Sequence, residues 1–384
     1  MFDILIIGAG PAGLSLAKLL SGQGRSIAVL EKQPLAALEK PAFDGREIAL
    51  TQHSMALLNE MGVVPHFQHD EYATLNAATV LNGNSKYSLD FTPPASSNSG
   101  LGFMVSNHAI RRGLYEEVKK LADVELITDD GLQSMAHHTN YSQITTTNGK
   151  QLKSRLLVAA DSRFSATRKQ MGIGASMTDY GRTMLVCPMT HEQPHRDTAY
   201  EIFDIGQTLA LLPLAGNCSS VVITLPTPEI DALLALDADA FTNEMETRLK
   251  FKFGSMALVS DRFAYPLVTV YADRFIADRF ALIGDAAVGM HPVTAHGFNL
   301  GLLGAETLAN QIAKAKDPGA KTALVKFEQQ HKRATLPLYL GTNSIAKLYA
   351  DDRRPARILR GAGLRVANLL KPIKRKVVSR LMSA

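Results

Sequence analysis

The sequence has no tryptophan, only two cysteines, and no apolar run of the ~18–20 residues that a membrane-spanning helix needs. Cys187 and Cys218 lack CxxC spacing, and no HExxH motif or Cys/His cluster is present, so we expect reduced thiols and no metal site. The N-terminal strand leads straight into a glycine turn, unlike a signal peptide. These absences predict a cytoplasmic protein without a membrane-spanning helix.

Length and charge then divide the chain. Its 384 residues exceed one typical domain of ~100–200 residues, and 46% hydrophobic residues are typical of a globular protein with a large core. The net charge of +5 comes from 41 basic and 36 acidic residues, but residues 353–384 hold ten Lys or Arg and no acid. The rest carries 31 basic and 36 acidic residues, or −5. A mildly acidic body with a strongly basic tail predicts a partner or surface for the tail.

The first thirty residues have the pattern strand, glycine turn, helix, strand and acid. The turn is GAGPAG at residues 8–13, and Glu31 follows the second strand. Gly8 allows a tight turn, Gly10 lets the backbone approach a pyrophosphate, and Gly13 lets the helix pack on the strand. Glu31 is spaced to bind an adenosine ribose. The pattern predicts a dinucleotide site, with an ordinary glycine-rich turn as the alternative, and it does not distinguish FAD from NAD.

Two later apolar strands also end in carboxylates. Residues 156–160 lead into Asp161, and residues 279–283 lead into Gly284 and Asp285. Alternating hydrophobicity and turn residues predict a β-rich substrate domain from residues 72–100 and 172–264. The nucleotide-binding domain is then discontinuous, at 1–71, 101–171 and 265–325. Residues 326–384 are expected to form C-terminal helices with the basic amphipathic tail.

Three ordered motifs, spread over nearly the whole chain, carry a family resemblance. They are residues 8–13 with Glu31, residues 160–168, and residues 284–287 continued by Pro292 and residues 297–301. The chain resembles the single-component FAD-dependent aromatic hydroxylases of the para-hydroxybenzoate hydroxylase type, especially their ubiquinone-biosynthesis branch. The resemblance implies an α/β fold: a Rossmann-like FAD-binding domain in three layers (ββα), an inserted mixed β-sheet substrate domain and a helical C-terminus. A single dinucleotide turn fits transient binding of NADH or NADPH, and the lack of tryptophan argues against flavin halogenases.

The resemblance also implies the residues that bind FAD. These are Gly8, Gly10, Ala12, Gly13, Glu31, Lys32, Arg46, Arg111, Asp161, Arg168, Gly284, Asp285, Pro292, Gly297, Phe298 and Asn299. Asp161 and Arg168 are expected to serve the nicotinamide cofactor as well, with a plain strand-end ion pair as the alternative. Arg46 is equally well explained as a surface cation. Three positions depart from the family pattern: Ser162 replaces a glycine, Ala295-His296 replaces Gly-Gln, and Asn107 replaces an arginine for which Arg111 could substitute.

The implied reaction is hydroxylation of the aromatic ring of a polyprenyl phenol or quinol. NAD(P)H would reduce FAD, O2 would add to give a C4a-hydroperoxyflavin, and the distal oxygen would pass to the ring. Pro292, His291 and His296 share one loop and are candidate catalytic residues, although a loop histidine can equally be structural. We predict a substrate pocket around Tyr200, Phe203, Leu211 and Pro213, positions that would be core in any sheet sandwich.

The basic tail, residues 353–384, alternates apolar and basic residues as an amphipathic helix does, with a break near Pro372. It is expected either to pack on the body or to contact an anionic membrane, at the inner membrane face, or a quinone-biosynthesis assembly. Nucleic acid is not an expected partner, because no base-reading aromatics accompany the charge. Two other functions stay open: a hydroxylase of the same fold with a soluble phenolic substrate, and a flavin-bearing subunit without catalysis.

Overall fold

The computed structural model describes residues 1–83, 88–93, 100–204, 206–292 and 296–350. The helices are α1 (Pro11–Leu20), α2 (Leu35–Glu39), α3 (Gln52–Glu60), α4 (Asn107–Val118), α5 (Ala166–Gln170), α6 (Thr227–Leu234), α7 (Ala238–Arg248), α8 (Gly297–Ala313) and α9 (Lys321–Ala350), with short 3₁₀ turns at Val64–His66 and Gly284–Ala286. The strands are β1 (Phe2–Ile7), β2 (Ile27–Leu30), β3 (Glu47–Leu50), β4 (Tyr72–Leu75), β5 (Ala77–Asn82), β6 (Ser88–Phe91), β7 (Gly102–Ser106), β8 (Val124–Ile127), β9 (Leu132–His137), β10 (Ser142–Thr146), β11 (Gln151–Ala159), β12 (Ala175–His191), β13 (Thr198–Asp204), β14 (Gln207–Pro213), β15 (Cys218–Pro226), β16 (Met256–Leu258), β17 (Phe263–Ala272), β18 (Ile276–Ala277), β19 (Phe280–Leu282) and β20 (Val288–Gly289).

The first sheet is the base of the nucleotide-binding domain. Its order is β18-β19-β11-β1-β2-β8, and the ladders from β19 to β8 are parallel. Ile4, Leu5 and Ile6 of β1 are fully buried, which explains the continuous apolar run in the sequence. Helix α1 packs against both α4 and α8. Because the central strands are parallel, their carboxyl ends meet at one edge, and the residues that follow each strand come together there.

The second sheet has nine strands in the order β20-β17-β12-β15-β14-β13-β5-β6, with β16 beside β12. Its ladders are antiparallel except for the parallel pair β13 and β5. Helices α6 and α7 cover one face through a second apolar core that includes Leu185, Leu211, Ile230 and Phe241. A small third sheet, β3-β7-β4, lies in the nucleotide-binding domain.

Two sequence expectations about this region need correction. Strands β5 and β6 join the nine-stranded sheet as predicted, whereas β4 pairs with β7. The predicted domain boundary between residues 264 and 265 falls inside β17, which pairs with β12 along its length. Helix α6 lies in the region predicted to be β-rich. It begins after Pro226 and has Pro228 in its first turn, where proline fits a helix.

Helix α9 closes the described chain and packs against α8. Within the described ranges, no helix has both the length and the apolar character required to cross a membrane. The basic tail and Ala295 lie outside the described residues.

Candidate functional site

The first glycine motif forms a tight turn between β1 and α1. Gly8 has a φ of 108°, and a Cβ there would lie 2.6 Å from the carbonyl oxygen of Ala160. A Cβ on Gly13 would overlap the carbonyl oxygen of Gly8. Gly10 differs, because a Cβ at that position would meet nothing within 4 Å. Gly8 and Gly13 are therefore glycines for packing reasons, and Gly10 leaves open space in front of the N-terminus of α1.

The third motif packs directly on the first. Gly284 has a φ of 57°, and its Cβ would lie 2.9 Å from the Cβ of Ala12. A Cβ on Gly301 of α8 would lie 3.5 Å from the Cα of Gly284. The start of α1, the end of β19 and the first turns of α8 are thus held together without intervening side chains. The sequence-distant glycines mark one site.

Glu31 lies at the same edge, one residue beyond β2. Its Oε2 accepts a hydrogen bond of 2.7 Å from the Ala9 amide, and its Oε1 accepts one of 2.9 Å from the Gln33 amide. The carboxylate is half-buried, and Lys32 beside it is exposed. This geometry fixes Glu31 beside the glycine turn, where it can also accept hydrogen bonds from a ribose.

Asp285 is held by an arginine that the sequence reasoning did not select. Nη2 of Arg163 donates to Oδ2 of Asp285 at 2.9 Å, and Nη1 donates to the carbonyl of Val268 at 3.0 Å. The pair joins the second motif to the third and orients the Asp285 carboxylate. The sequence feature that could have identified Arg163 is its position inside the second motif, two residues after Asp161.

The prediction that Arg168 contacts the nucleotide needs correction. Its side chain is 1% exposed and donates to the main-chain carbonyls of Ala286 at 2.8 Å and Arg163 at 3.1 Å. Burial lowers its pKa, with Asp161 and Asp273 opposing the shift. Arg168 therefore stabilises the main chain next to Asp285 through hydrogen bonds to buried carbonyl groups. Ser165 is the N-cap of α5, the short helix that carries Arg168. Its Oγ accepts a hydrogen bond of 2.8 Å from the Arg168 amide.

Asp161 lies two residues beyond β11 and beside Gly8, whose Cβ would lie 3.0 Å from the Asp161 Cα. Its Oδ2 accepts from the amide and the hydroxyl of Thr167, at 3.3 and 3.1 Å. Its Oδ1 is buried and has no hydrogen-bond partner among the described residues. An unsatisfied buried oxygen beside the dinucleotide turn is suited to accept a hydrogen bond from a ligand.

Two arginines lie close enough to carboxylates of the site to interact with them electrostatically, Arg46 with Asp285 and Arg111 with Glu31. Arg46 donates to Asp44 at 2.6 Å and lies 5.3 Å from the centre of the Tyr265 ring. Arg111 is half-buried and makes no hydrogen bond or ion pair within the described part of the chain. Burial lowers the pKa of Arg111, while Asp44 and Glu31 oppose the shift. An incompletely neutralised guanidinium here is suited to bind a phosphate or a carbonyl oxygen.

These features fit a bound FAD. The open space at Gly10 and the N-terminus of α1 suit a pyrophosphate, since helix N-termini bind anions. Asp161 Oδ1 and the Arg111 guanidinium lack protein partners in the described ranges. Asn107, which stands where the family often has arginine, donates to Asp44 at 2.8 Å instead.

The predicted catalytic loop carries His291 and Pro292 and ends at His296, and residues 293–295 lie outside the described part of the chain. His291 packs edge-on to Tyr180, with ring centroids 4.9 Å apart, and burial lowers its pKa to about 4. The imidazole is therefore neutral at pH 7 and a weak acceptor for the proton of a phenol, whose pKa is about 10. His296 is buried just before α8, while Pro292 is exposed. Burial at this position disfavours the charged imidazole that a general base at His291 would form.

The side-chain amide of Asn299, a predicted FAD-binding residue, bonds main-chain groups of the protein. Its Oδ1 accepts from the Thr51 amide at 3.1 Å, and its Nδ2 donates to the Ala49 carbonyl at 2.8 Å. The side chain joins the first turn of α8 to the end of β3. Gly297 and Phe298 precede Asn299 in the first turn of α8, and both are half-buried.

Three of the four predicted substrate residues lie on the wrong face of the nine-stranded sheet. Leu211 is part of the core beneath α6 and α7, and Tyr200 packs against that core. Pro213 shares this face because it stands two residues beyond Leu211. Phe203 points to the opposite face. The error follows from the strand period of two, which cannot show from sequence which face meets the cofactor domain.

Comparison with known proteins agrees with this geometry. A family model described as "FAD binding domain" matches residues 1–335. Ubiquinone hydroxylase UbiM of Neisseria meningitidis is 45% identical, covering 99% of this chain and 84% of that protein. Ubiquinone hydroxylase UbiL of Rhodospirillum rubrum is 32% identical, covering 97% and 87%.

The fold is shared with solved structures. The p-nitrophenol 4-monooxygenase PnpA of Pseudomonas putida superposes with a TM-score of 0.77 at 18% identity, covering 100% of this chain and 98% of that one. The predicted α/β fold, the FAD cofactor and the enzyme class are confirmed. The chain belongs to the FAD-dependent aromatic hydroxylases, in the branch formed by the ubiquinone hydroxylases.

Proposed function

We propose that this protein hydroxylates the aromatic ring of a polyprenyl phenol or quinol in ubiquinone biosynthesis, with FAD as cofactor and NADH or NADPH and O2 as co-substrates. The names of UbiM and UbiL, at 45% and 32% identity, support this substrate class. The observation that carries it is the convergence of the three motifs at one edge of a parallel sheet, where strands β17 and β20 of the second sheet contact the turn at Gly284–Ala286.

When bound, FAD supplies the electron transfer from the nicotinamide and the activation of O2. This chain's residues hold and orient it. Gly10 and the N-terminus of α1 would hold the pyrophosphate, and Glu31 the adenosine ribose. Asp285, oriented by Arg163, would accept hydrogen bonds from the ribityl hydroxyls. Gly297, at the positive end of the long helix α8, would stabilise negative charge on the reduced ring.

The test compares two phenols that share one ring and differ only in the prenyl chain. We expect the purified protein to be yellow, and NAD(P)H oxidation to rise at least ~10-fold with the prenylated phenol, because buried CH₂ groups add ~0.8 kcal/mol each. Stimulation by the short phenol alone would indicate a hydroxylase of soluble phenols. Bound flavin with no stimulation by either phenol would indicate the non-catalytic subunit.

We also propose that the protein works in the cytoplasm at the surface of the inner membrane, held by the basic tail or by a quinone-biosynthesis assembly. The ten cations without an acid support this, since each is worth about 1 kcal/mol near an anionic surface. Helix α9, which leads into the tail, exposes Leu336, Leu340 and Ile345.

The membrane contact is tested by sedimentation with vesicles. The full chain should sediment with phosphatidylglycerol vesicles and not with phosphatidylcholine vesicles, and 0.5 M salt, about three times the physiological strength, should release it. A variant ending at Asp352 should remain in the supernatant. If that variant sediments as well as the full chain, the tail is not the anchor.

A further inference from the structure

One face of the nine-stranded sheet is turned toward the nucleotide-binding domain. Directly paired residues share a face, and the pairings place Val186, Val222, Ala210, Glu201, Val80 and Leu89 in one row across six strands. Helices α6 and α7 occupy the opposite face, because Leu185, Leu211 and Ile223 pack against them. The row therefore faces away from the helical core.

The nucleotide-binding domain approaches this row in two places. A Cβ on Gly45, beside Arg46, would lie 3.2 Å from Cγ2 of Val186. Cys218, on the same face of β15 as Val222, is close enough to Glu47 of β3 for the two to interact electrostatically. The face that carries Glu201 is thus the one beside the FAD site, where a substrate ring must lie.

Glu201 is the one ionisable residue in a row that is otherwise Val, Ala and Leu. Its side chain is half-buried, and its carboxyl group has no hydrogen-bond or ion-pair partner in the described part of the chain. Burial raises its pKa to about 8, so at pH 7 it is neutral and can both donate and accept a hydrogen bond. A lone carboxyl on an apolar face reduces stability unless a ligand uses it.

We propose that Glu201 is a substrate-binding residue whose carboxyl group hydrogen-bonds an oxygen substituent of the aromatic ring, while its apolar row contacts the rest of the substrate. The proposal rests on the proposed function and identifies the residue that selects oxygenated rings. A hydroxyl or methoxyl oxygen matches a carboxylic acid in hydrogen-bonding character, whereas an unsubstituted ring leaves that acid unpaired.

The experiment uses the FAD-loaded enzyme and three variants. Glu201→Gln keeps a neutral donor and acceptor, Glu201→Leu removes both, and Tyr200→Phe alters the neighbouring residue on the opposite face as a control. Kd for the prenylated phenol is measured from the change in flavin absorbance, and KM and kcat from NAD(P)H oxidation. We expect Glu201→Leu to raise Kd and KM about tenfold or more, and Glu201→Gln and Tyr200→Phe to change them less than about threefold.

A pH series separates this role from a structural one. In the wild type, Kd should rise above pH 8 as the carboxyl ionises, and it should stay level in Glu201→Gln. Glu201→Gln should also raise the unfolding midpoint at pH 7 but not at pH 4, because the unfolded carboxyl ionises near pH 4.5 and the folded one near pH 8.

The outcomes are distinguishable. A wild type that binds and hydroxylates the prenylated phenol, with Glu201→Leu unchanged in Kd, overturns the role of Glu201 and leaves the proposed function standing. A Kd that still rises above pH 8 in Glu201→Gln also overturns it. A wild type that neither binds nor oxidises any prenylated phenol overturns the proposed function, and the role of Glu201 with it.

Discussion

Arg163 and Asp285 are separated by more than a hundred residues in sequence, yet their side chains form an ion pair of 2.9 Å at the centre of the site. Arg163 belongs to the motif after β11, and Asp285 to the motif after β19. The two strands are neighbours in the first sheet, so the pair spans adjacent strand ends. The pair fixes the carboxylate that we assign to the flavin side chain.

Replacing Arg163 with Ala should weaken FAD binding without unfolding the protein. Both side chains are partly exposed, at 31% and 40%, so solvent screening limits the effect, and we expect a five- to tenfold rise in the FAD Kd. Flavin retention during dialysis measures it. Arg155→Gln is the matched control, because Arg155 makes only a 3.7 Å surface pair with Asp3. Equal retention in both variants would remove Arg163 from the site.

The glycine turn predicts a contrast between two substitutions. Gly13→Ala places a Cβ on the carbonyl of Gly8, so we expect a loss of about 2 kcal/mol or more in the free energy of unfolding. Gly10→Ala meets nothing within 4 Å and should leave the apoprotein as stable as the wild type while lowering FAD affinity at least ~10-fold. Urea unfolding and flavin titration give the two results. Normal FAD affinity in Gly10→Ala would place the pyrophosphate elsewhere.

Arg168 should affect stability more than cofactor contact. Arg168→Met leaves the carbonyls of Ala286 and Arg163 without their donor in a buried site, a loss of about 2–4 kcal/mol in the free energy of unfolding. FAD should still bind when the folded fraction is assayed at 10 °C. A variant with wild-type unfolding but no flavin would restore Arg168 as a direct ligand.

The sequence predicted the parts of this site that are built from the residues following each parallel strand. The strands that end at Ile7, Ala159 and Leu282 are apolar runs followed within two residues by glycine or acid, and parallel pairing brings their ends together. Arg163 and Arg168 were harder to separate, because both are cations in one motif. Only packing shows that Arg168 is buried against main chain and Arg163 reaches Asp285.

The substrate side could not be predicted in the same way. Tyr200 and Glu201 are adjacent on β13, and every strand presents alternate residues to opposite faces. The sequence favoured the aromatic Tyr200, which packs on the core beneath α6 and α7. Which face meets the FAD site is set by where the loop at Gly45 contacts β12, a long-range contact that local patterns do not encode.

Glu117 predicts how the whole domain responds to acid. It is 8% exposed and bonds Lys120, His66 and Lys18, at 2.6, 2.8 and 3.0 Å. Burial alone would raise its pKa, but these partners lower it to about 2. The stability it contributes is complete above pH 4.5 and is lost as pH falls toward 2. Glu117→Gln should therefore unfold more readily at pH 7 and resemble the wild type near pH 2, as followed by circular dichroism.

The central claim is that this protein inserts one oxygen atom from O2 into the ring of a prenylated phenol. Turnover under ¹⁸O₂ with NAD(P)H, followed by mass spectrometry of the product, tests it most directly. The account predicts one ¹⁸O atom in the ring of the product, formed only when FAD is bound. A product without the label, or oxidation of NAD(P)H that yields only hydrogen peroxide, would contradict it.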